Sequence, residues 1–363
     1  MIVTDTQPFT VVDDKGFRAF VQKLDPTYQL PSRSTIKAMV ERKYEEEKRK
    51  TIVELEKVSI TADMWTSLNM DAYLGVTCHY VNVNDELSSV TLGVGHFSAS
   101  HTAVNLSEAT DALLCEYGIR SKIQCFITDN AANMVACARL LKLRHVPCFA
   151  HTLNLIVKKA LDQTPELVDI RTKARKVIGF FKSSVRAHEK LAELQQQLAK
   201  HNHKLVQEVE TRWNSTFSMF QRLFEQREPV AAAMTSLQSD ITLINPPEYE
   251  IIEEAIRILG PFHIATTELS AEKHVTASKI IPMVRMLQHQ LTLMEPTMRS
   301  NVTRQLFRHL HEGIYARCKV EKIRVLAEAT LLDPRFIIHH TSHFGCRLIL
   351  PLFHLYSDYK MIN

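Results

Sequence analysis

Two aspartates stand where strand residues should be apolar. In "SITADMWTS", residues 59–67, Asp63 interrupts a run that otherwise reads as strand, and in "CFITDNAANM" Asp129 closes another. Asp is depleted in strands, and burying its charge is costly unless a partner meets it. If the two strands are neighbours, both carboxylates project from adjacent strand ends. Such a pair suits a hard cation: Mg²⁺ takes oxygen ligands, and paired metals clamp the attacking and leaving oxygens of a phosphoryl transfer. The plainer alternative makes Asp63 a turn or capping residue and Asp129 an acid at a helix N-terminus. Spacing alone does not separate the two.

A second candidate group is basic. Residues 170–188 contain Arg171, Lys173, Arg175, Lys176, Lys182 and Arg186 and no acid. On one continuous helix, Arg171, Arg175, Lys182 and Arg186 fall within roughly 60° of one another. Ile170, Val177, Ile178, Phe181 and Val185 occupy the adjacent apolar face. The stripe is either a phosphate-binding surface, with salt-sensitive and sequence-independent affinity, or a solvated amphipathic face that Gly179 breaks.

The elements that must position these residues are legible from periodicity. Residues 1–56 read as a helical N-terminal segment: Phe17, Phe20, Val21 and Leu24 lie at helical spacing, and "PSRSTIKAMVERKYEEEKRK" is a second helix whose mixed charges fit a solvated face. Residues 57–160 read as a mixed α/β core. "VSITADMW", "AYLGVTCHYV" and "LSSVTLGVGHF" form a three-stranded antiparallel meander. A helix ending at Gly118, a fourth strand "KIQCFITDN", a helix from Asn130 and a short strand or loop "VPCFAH" follow. Strands one and four are expected to be parallel neighbours, and Trp65 is expected in the core. Residues 161–336 read as helical, with breaks at "NPPE", Pro261 and Pro282. Residues 337–363 form a divergent tail with an apolar "LILPLF".

Composition bounds the rest. The 363 residues are 45% hydrophobic and 23% charged, with a net charge of +4, as expected of a soluble chain of two or three domains. No run approaches roughly 18 apolar residues, so no membrane contact is expected, and the start has no signal-peptide pattern. The 7 Cys are scattered without a CxxC pair, which fits reduced thiols in cytosol or nucleus.

In this order and at these separations, "ITADMWTS", "CFITDNAANM", "VPCFAHTLNL", "ETRWNSTFSMFQRL", "LSAEKHVTASKIIP" and "LLDPRF" resemble the hAT superfamily of DNA transposases. The likeness is greatest to the domesticated zinc-finger BED domain-containing proteins derived from them, and it extends over residues 7 to about 336. The fold class this implies is α/β plus all-α: an RNase H-like mixed sheet, incomplete here, with a large helical insertion domain. Active relatives cut and join DNA with a metal-dependent D-D-E triad. By position, Asp63 matches the first acid and Asp129 the second. Cys148 and His151 match a CxxH element, in which the His is a candidate DNA contact. Trp213, in "TRWNS", matches the insertion-domain Trp that stacks on an extruded base. Each has a structural alternative: a packed thiol and a hydrogen-bonded imidazole for Cys148 and His151, a domain anchor for Trp213.

Departures from the family pattern set the functional expectation. The matching words stop at "LLDPRF", and no Glu occurs from Ile337 onward. Glu208, Glu210, Glu253 and Glu254 sit in insertion words that do not match the third catalytic position. No BED-type Cys and His array is present in these residues, so no zinc site is expected, and His339, His340, His343 and Cys346 read as accidental. The expectation is therefore a nuclear, transposase-derived protein without enzymatic activity, acting in transcription or chromatin by binding DNA, a full-length relative or other nuclear proteins. Mg²⁺ would be held only weakly at Asp63 and Asp129. The alternatives are an active Mg²⁺-dependent transposase or nuclease, and a protein-interaction scaffold that does not touch DNA.

Overall fold

The chain opens with two helices, α1 (Lys15–Leu24) and α2 (Arg33–Glu54). Ser32 caps α2, its hydroxyl accepting the Thr35 N–H at 3.2 Å. Although α2 buries no side chain fully, its charged run does more than face water. Lys48 pairs with Glu116 and lies 4.8 Å from the centre of the Tyr117 ring, while the Tyr44 and Tyr117 hydroxyls meet at 3.2 Å. This computed structural model describes residues 2–271 and 274–336; the tail, with "LILPLF" and its His/Cys cluster, lies outside the described residues.

Alternation shapes the first strands of the sheet that follows. β1 (Val58–Thr66) buries Val58, Ile60 and Ala62 and turns Thr61, Asp63 and Trp65 to the opposite face. β2 (Ala72–Val81) and β3 (Leu87–His96) complete the antiparallel meander. Next come α3 (Ala103–Glu116), β4 (Ile123–Thr128), α4 (Ala132–Leu140) and the short β5 (His145–Pro147). Gly118 leaves α3 at φ 62°, a left-handed conformation that glycine adopts without strain. The strand order is β3-β2-β1-β4-β5, with β1 parallel to β4, so the expected neighbours are neighbours. The core joins Ile60, Val76, Cys78 and Phe126 of the sheet to Leu106, Leu114, Met134 and Cys137 of α3 and α4. Trp65, expected in that core, points the other way and is 43% exposed.

The chain divides into two compact units between His145 and Val146. Helix α5 (Phe149–Asp162), which the sequence places with the sheet, therefore belongs to the second unit. That unit continues with α6 (Pro165–Ser183), α7 (Val185–Gln197), α8 (Trp213–Glu225), α9 (Arg227–Ser236), α10 (Pro246–Leu269), α11 (Ile280–Met294), α12 (Asn301–Arg317) and α13 (Arg324–Leu332). Two expected breaks are absent. Pro261 lies inside the continuous α10, and Pro282 falls in the first turn of α11, where its missing N–H leaves no bond unmade. A real break occurs at Ser184, whose hydroxyl accepts the Ala187 N–H and starts α7. A Cβ on Gly313 of α12 would lie 2.7 Å from Ile156 of α5, so glycine permits the approach of those helices. No helix among the described residues is long and apolar enough to cross a membrane.

Candidate functional site

The register of β1 on β4 runs from Val58 to Ala62, which pairs with Thr128. Asp63 is the next residue of β1, and Asp129 is the first residue after β4. They lie on the same face by alternation, on backbones that are about 4.8 Å apart where paired. The sequence expectation that topology juxtaposes these positions is thus met in the backbone. Their surroundings differ. Asp63 is exposed and sits opposite Gly75 of β2. Asp129 is half-buried, and one carboxylate oxygen accepts the Ala131 N–H at 3.2 Å in the turn that enters α4. The Thr128 hydroxyl donates to the Asp129 carbonyl at 2.7 Å and meets His145 Nε2 at 2.9 Å. As hard oxygen donors the two carboxylates suit Mg²⁺. Among the described residues, however, no group of three or more His, Cys, Asp or Glu side chains is arranged to hold a metal.

The basic stripe does not survive folding. Arg171 is 7% exposed: its Nε and Nη2 donate to Glu208 Oε1 at 3.0 and 2.7 Å, and its Nη1 donates to Asp162 at 2.8 Å. Arg175 donates to Glu210 at 2.6 Å and lies 3.6 Å from Glu208. A charge taken out of water needs paired counter-charges, and acids from outside α6 provide them. Arg186 falls on α7, beyond the Ser184 break, so the assumed continuous helix does not exist. Lys182 and Arg186 remain exposed.

Trp213 is likewise not a surface platform. It opens α8 at 2% exposure, with its ring edge-on to His263 and its backbone N–H donating to Asn154 at 3.2 Å. In this arrangement it anchors the helical unit. Cys148, at the N-cap of α5, and His151 one turn in are both half-buried, and the Cys148 carbonyl accepts the Thr152 hydroxyl at 3.0 Å. Two of the insertion-domain acids, Glu208 and Glu254, are committed elsewhere. Glu208 is buried against Arg171, and Glu254 accepts two backbone N–H groups, from Arg299 and Ser300, and the Thr303 hydroxyl. Burial raises the Glu254 pKa, but these donors outweigh it and hold the carboxyl below its ordinary value.

Two family models match the chain. The ZBED1 RNase-like domain matches residues 61–150, and the ZBED1 RNase-like helical domain matches residues 146–257. Zinc finger BED domain-containing protein 4 of Homo sapiens is 30% identical over 93% of this chain and 29% of its own length. A putative AC transposase of Zea mays is 28% identical over 92% of this chain and 44% of its own. The chain belongs to the hAT-type, transposase-derived zinc finger BED domain-containing family. A putative transcriptional regulator, tpeD of Talaromyces stipitatus, is also related, at 25% identity over 79% of this chain and 39% of its length. This family member thus spans from under a third to under half the length of these curated relatives.

Sequence reasoning missed one set of residues in this member of the family: Trp65, Tyr73 and Gly75, on the same sheet face as Asp63. The signal was available, because Asp63 and Trp65 are two residues apart and a strand places such residues on one side.

Proposed function

We propose that this chain is a nuclear, transposase-derived binding protein, acting in transcription or chromatin regulation through DNA, protein or both, whose RNase-like core does not cut DNA. The observation that carries this reading is the carboxylate pair itself. Asp63, within β1, and Asp129, just past the end of β4, stand on neighbouring strands of an RNase-like sheet with no third acid grouped beside them among the described residues. Two carboxylates would hold Mg²⁺ weakly, and the metal would supply positive charge to a phosphate oxygen. Clamping both oxygens of an in-line displacement takes a fuller ligand set. DNA contact in this reading rests on Lys182 and Arg186, with His151 and Cys148 as further candidates, rather than on Arg171 and Arg175.

The burial of Trp213 and the pairing of Arg171 favour a second reading, in which the helical unit is a protein-interaction scaffold without DNA contact. One titration tests both. Binding to a fluorescent DNA duplex is followed across a salt series with Mg²⁺ present, and the products are analysed in the same tubes. Steeply salt-dependent binding without cleavage supports the first reading. No binding at low salt leaves the scaffold. Nicking that Asp63→Asn abolishes would replace both with an active Mg²⁺-dependent enzyme.

A further inference from the structure

We propose that the sheet face beside Asp63 binds a cationic side chain of a protein partner, an arginine presented by a basic peptide, with Trp65 as the stacking surface. The site is built by register. Trp65 faces Tyr73 across β1 and β2, and their rings are nearly parallel, 16° apart with centres 5.8 Å from each other. Asp63 faces Gly75. A Cβ on Gly75 would lie 2.9 Å from Trp65 Cζ3, so the indole lies across the glycine, beside the aspartate. Directly opposed residues in an antiparallel pair have Cβ atoms about 5 Å apart, which puts the Asp63 carboxylate within reach of a group resting on the ring. Asp71, 46% exposed at its side chain, closes the same end of the sheet and lies 3.7 Å from His96. His96 in turn stands edge-on to Tyr73.

Charge selects the occupant. Residues 58–96, the three-stranded meander, contain four acids, Asp63, Asp71, Asp85 and Glu86, and no Lys or Arg, in a chain whose overall charge is +4. An aromatic platform alone would accept a nucleobase or a cation. Set beside the carboxylates of Asp63 and Asp71, it repels phosphates and attracts a guanidinium, which stacks on an aromatic face and donates in a fork to a carboxylate. This inference identifies a partner class for the sheet and stands independently of whether the helical unit touches DNA.

The test uses the whole chain and its own fluorescence. Trp65 and Trp213 are the two tryptophans, one exposed and one buried. An arginine–serine repeat peptide, its lysine and glutamate analogues and oligothymidylate are each titrated at low and high salt. The arginine peptide should bind saturably, more weakly at high salt, and change the emission; the lysine peptide should bind less well and the glutamate peptide not at all. Trp65→Ala should weaken binding roughly 3- to 30-fold and remove the emission change. Trp65→Phe, which keeps a π face, should restore most of the affinity. Asp63→Asn should weaken binding several-fold. Unchanged affinity in both Trp65→Ala and Asp63→Asn, with unaltered thermal unfolding of each, overturns the proposal. A change in Trp65 emission with oligothymidylate but not with the arginine peptide also overturns it, and makes the face a base-stacking site.

Discussion

Replacing Arg171 with alanine should destabilise the helical unit far more than loss of a surface cation would. The guanidinium makes three hydrogen bonds to two carboxylates, and Glu208, its main partner, has no solvent-exposed side-chain surface. Glu208 also accepts the Thr216 hydroxyl and comes from the irregular stretch between α7 and α8, so Arg171 fastens that stretch to α6. Removing one member of a buried ion pair costs about 3 to 5 kcal/mol, because the remaining charge is stranded. Arg175, 3.6 Å from Glu208, moderates the loss without replacing it. In a unit of this size the cost amounts to a fall of about 6 to 20 °C in melting temperature. The assay is urea or thermal unfolding followed by Trp213 fluorescence in a Trp65→Phe background. Arg171→Ala/Glu208→Ala should cost clearly less than the two single changes together, since neither charge is then left alone. An Arg171→Ala loss within about 0.5 kcal/mol of wild type would place the residue with ordinary surface side chains and refute the reasoning. A parallel fall in DNA affinity would return it to a phosphate-binding stripe.

Gly313→Ala should destabilise by about 1 to 2 kcal/mol, because overpacking against buried Ile156 outweighs the gain in helix propensity; chemical denaturation measures it. Gly75→Val should leave stability within about 1 kcal/mol, since the ring it displaces is exposed, but should raise the accessibility of Trp65 to a neutral quencher. Burial holds the imidazoles of His79, His145 and His263 below their ordinary pKa. The unfolded chain therefore takes up these protons first, at about pH 6.5, so the stability from the neutral rings is complete above that value and is lost as pH falls through the folded values. Unfolding free energy should decline from about pH 7 toward 5, and His263→Phe should flatten the decline reported by Trp213.

The sheet was readable because its signals are local: period-two alternation marks the faces of β1 and β2, a short apolar run marks β4, and the chain order then leaves β1 beside β4. Local signals also carried Asp63 and Asp129 to the same end of the sheet. What failed was everything decided at long range. Arg171 meets Glu208 across 37 residues, through a segment with no periodicity, so a helical wheel showed a cation and could not show its partner. Ser184 breaks the helix by capping its successor, whereas Gly179 and Pro261, the conspicuous breakers, remain inside helices because surrounding packing holds them there. Trp65 was misplaced for another reason: a large apolar side chain was given to the core although its position in the alternation assigned it to the face of Asp63.

The tether on Asp129 makes the two acids unequal under mutation. One oxygen of Asp129 secures the turn into α4, so this side chain has structural work that continues whether or not the protein ever binds a metal. Asp63 is exposed and has no such duty in the fold. A lineage that gave up cutting DNA and bound nothing on that sheet face could let Asp63 drift freely, while any replacement for Asp129 would still have to hold that turn. Retention of the second aspartate in a relative is therefore a record of folding, and only retention of the first bears witness to a ligand.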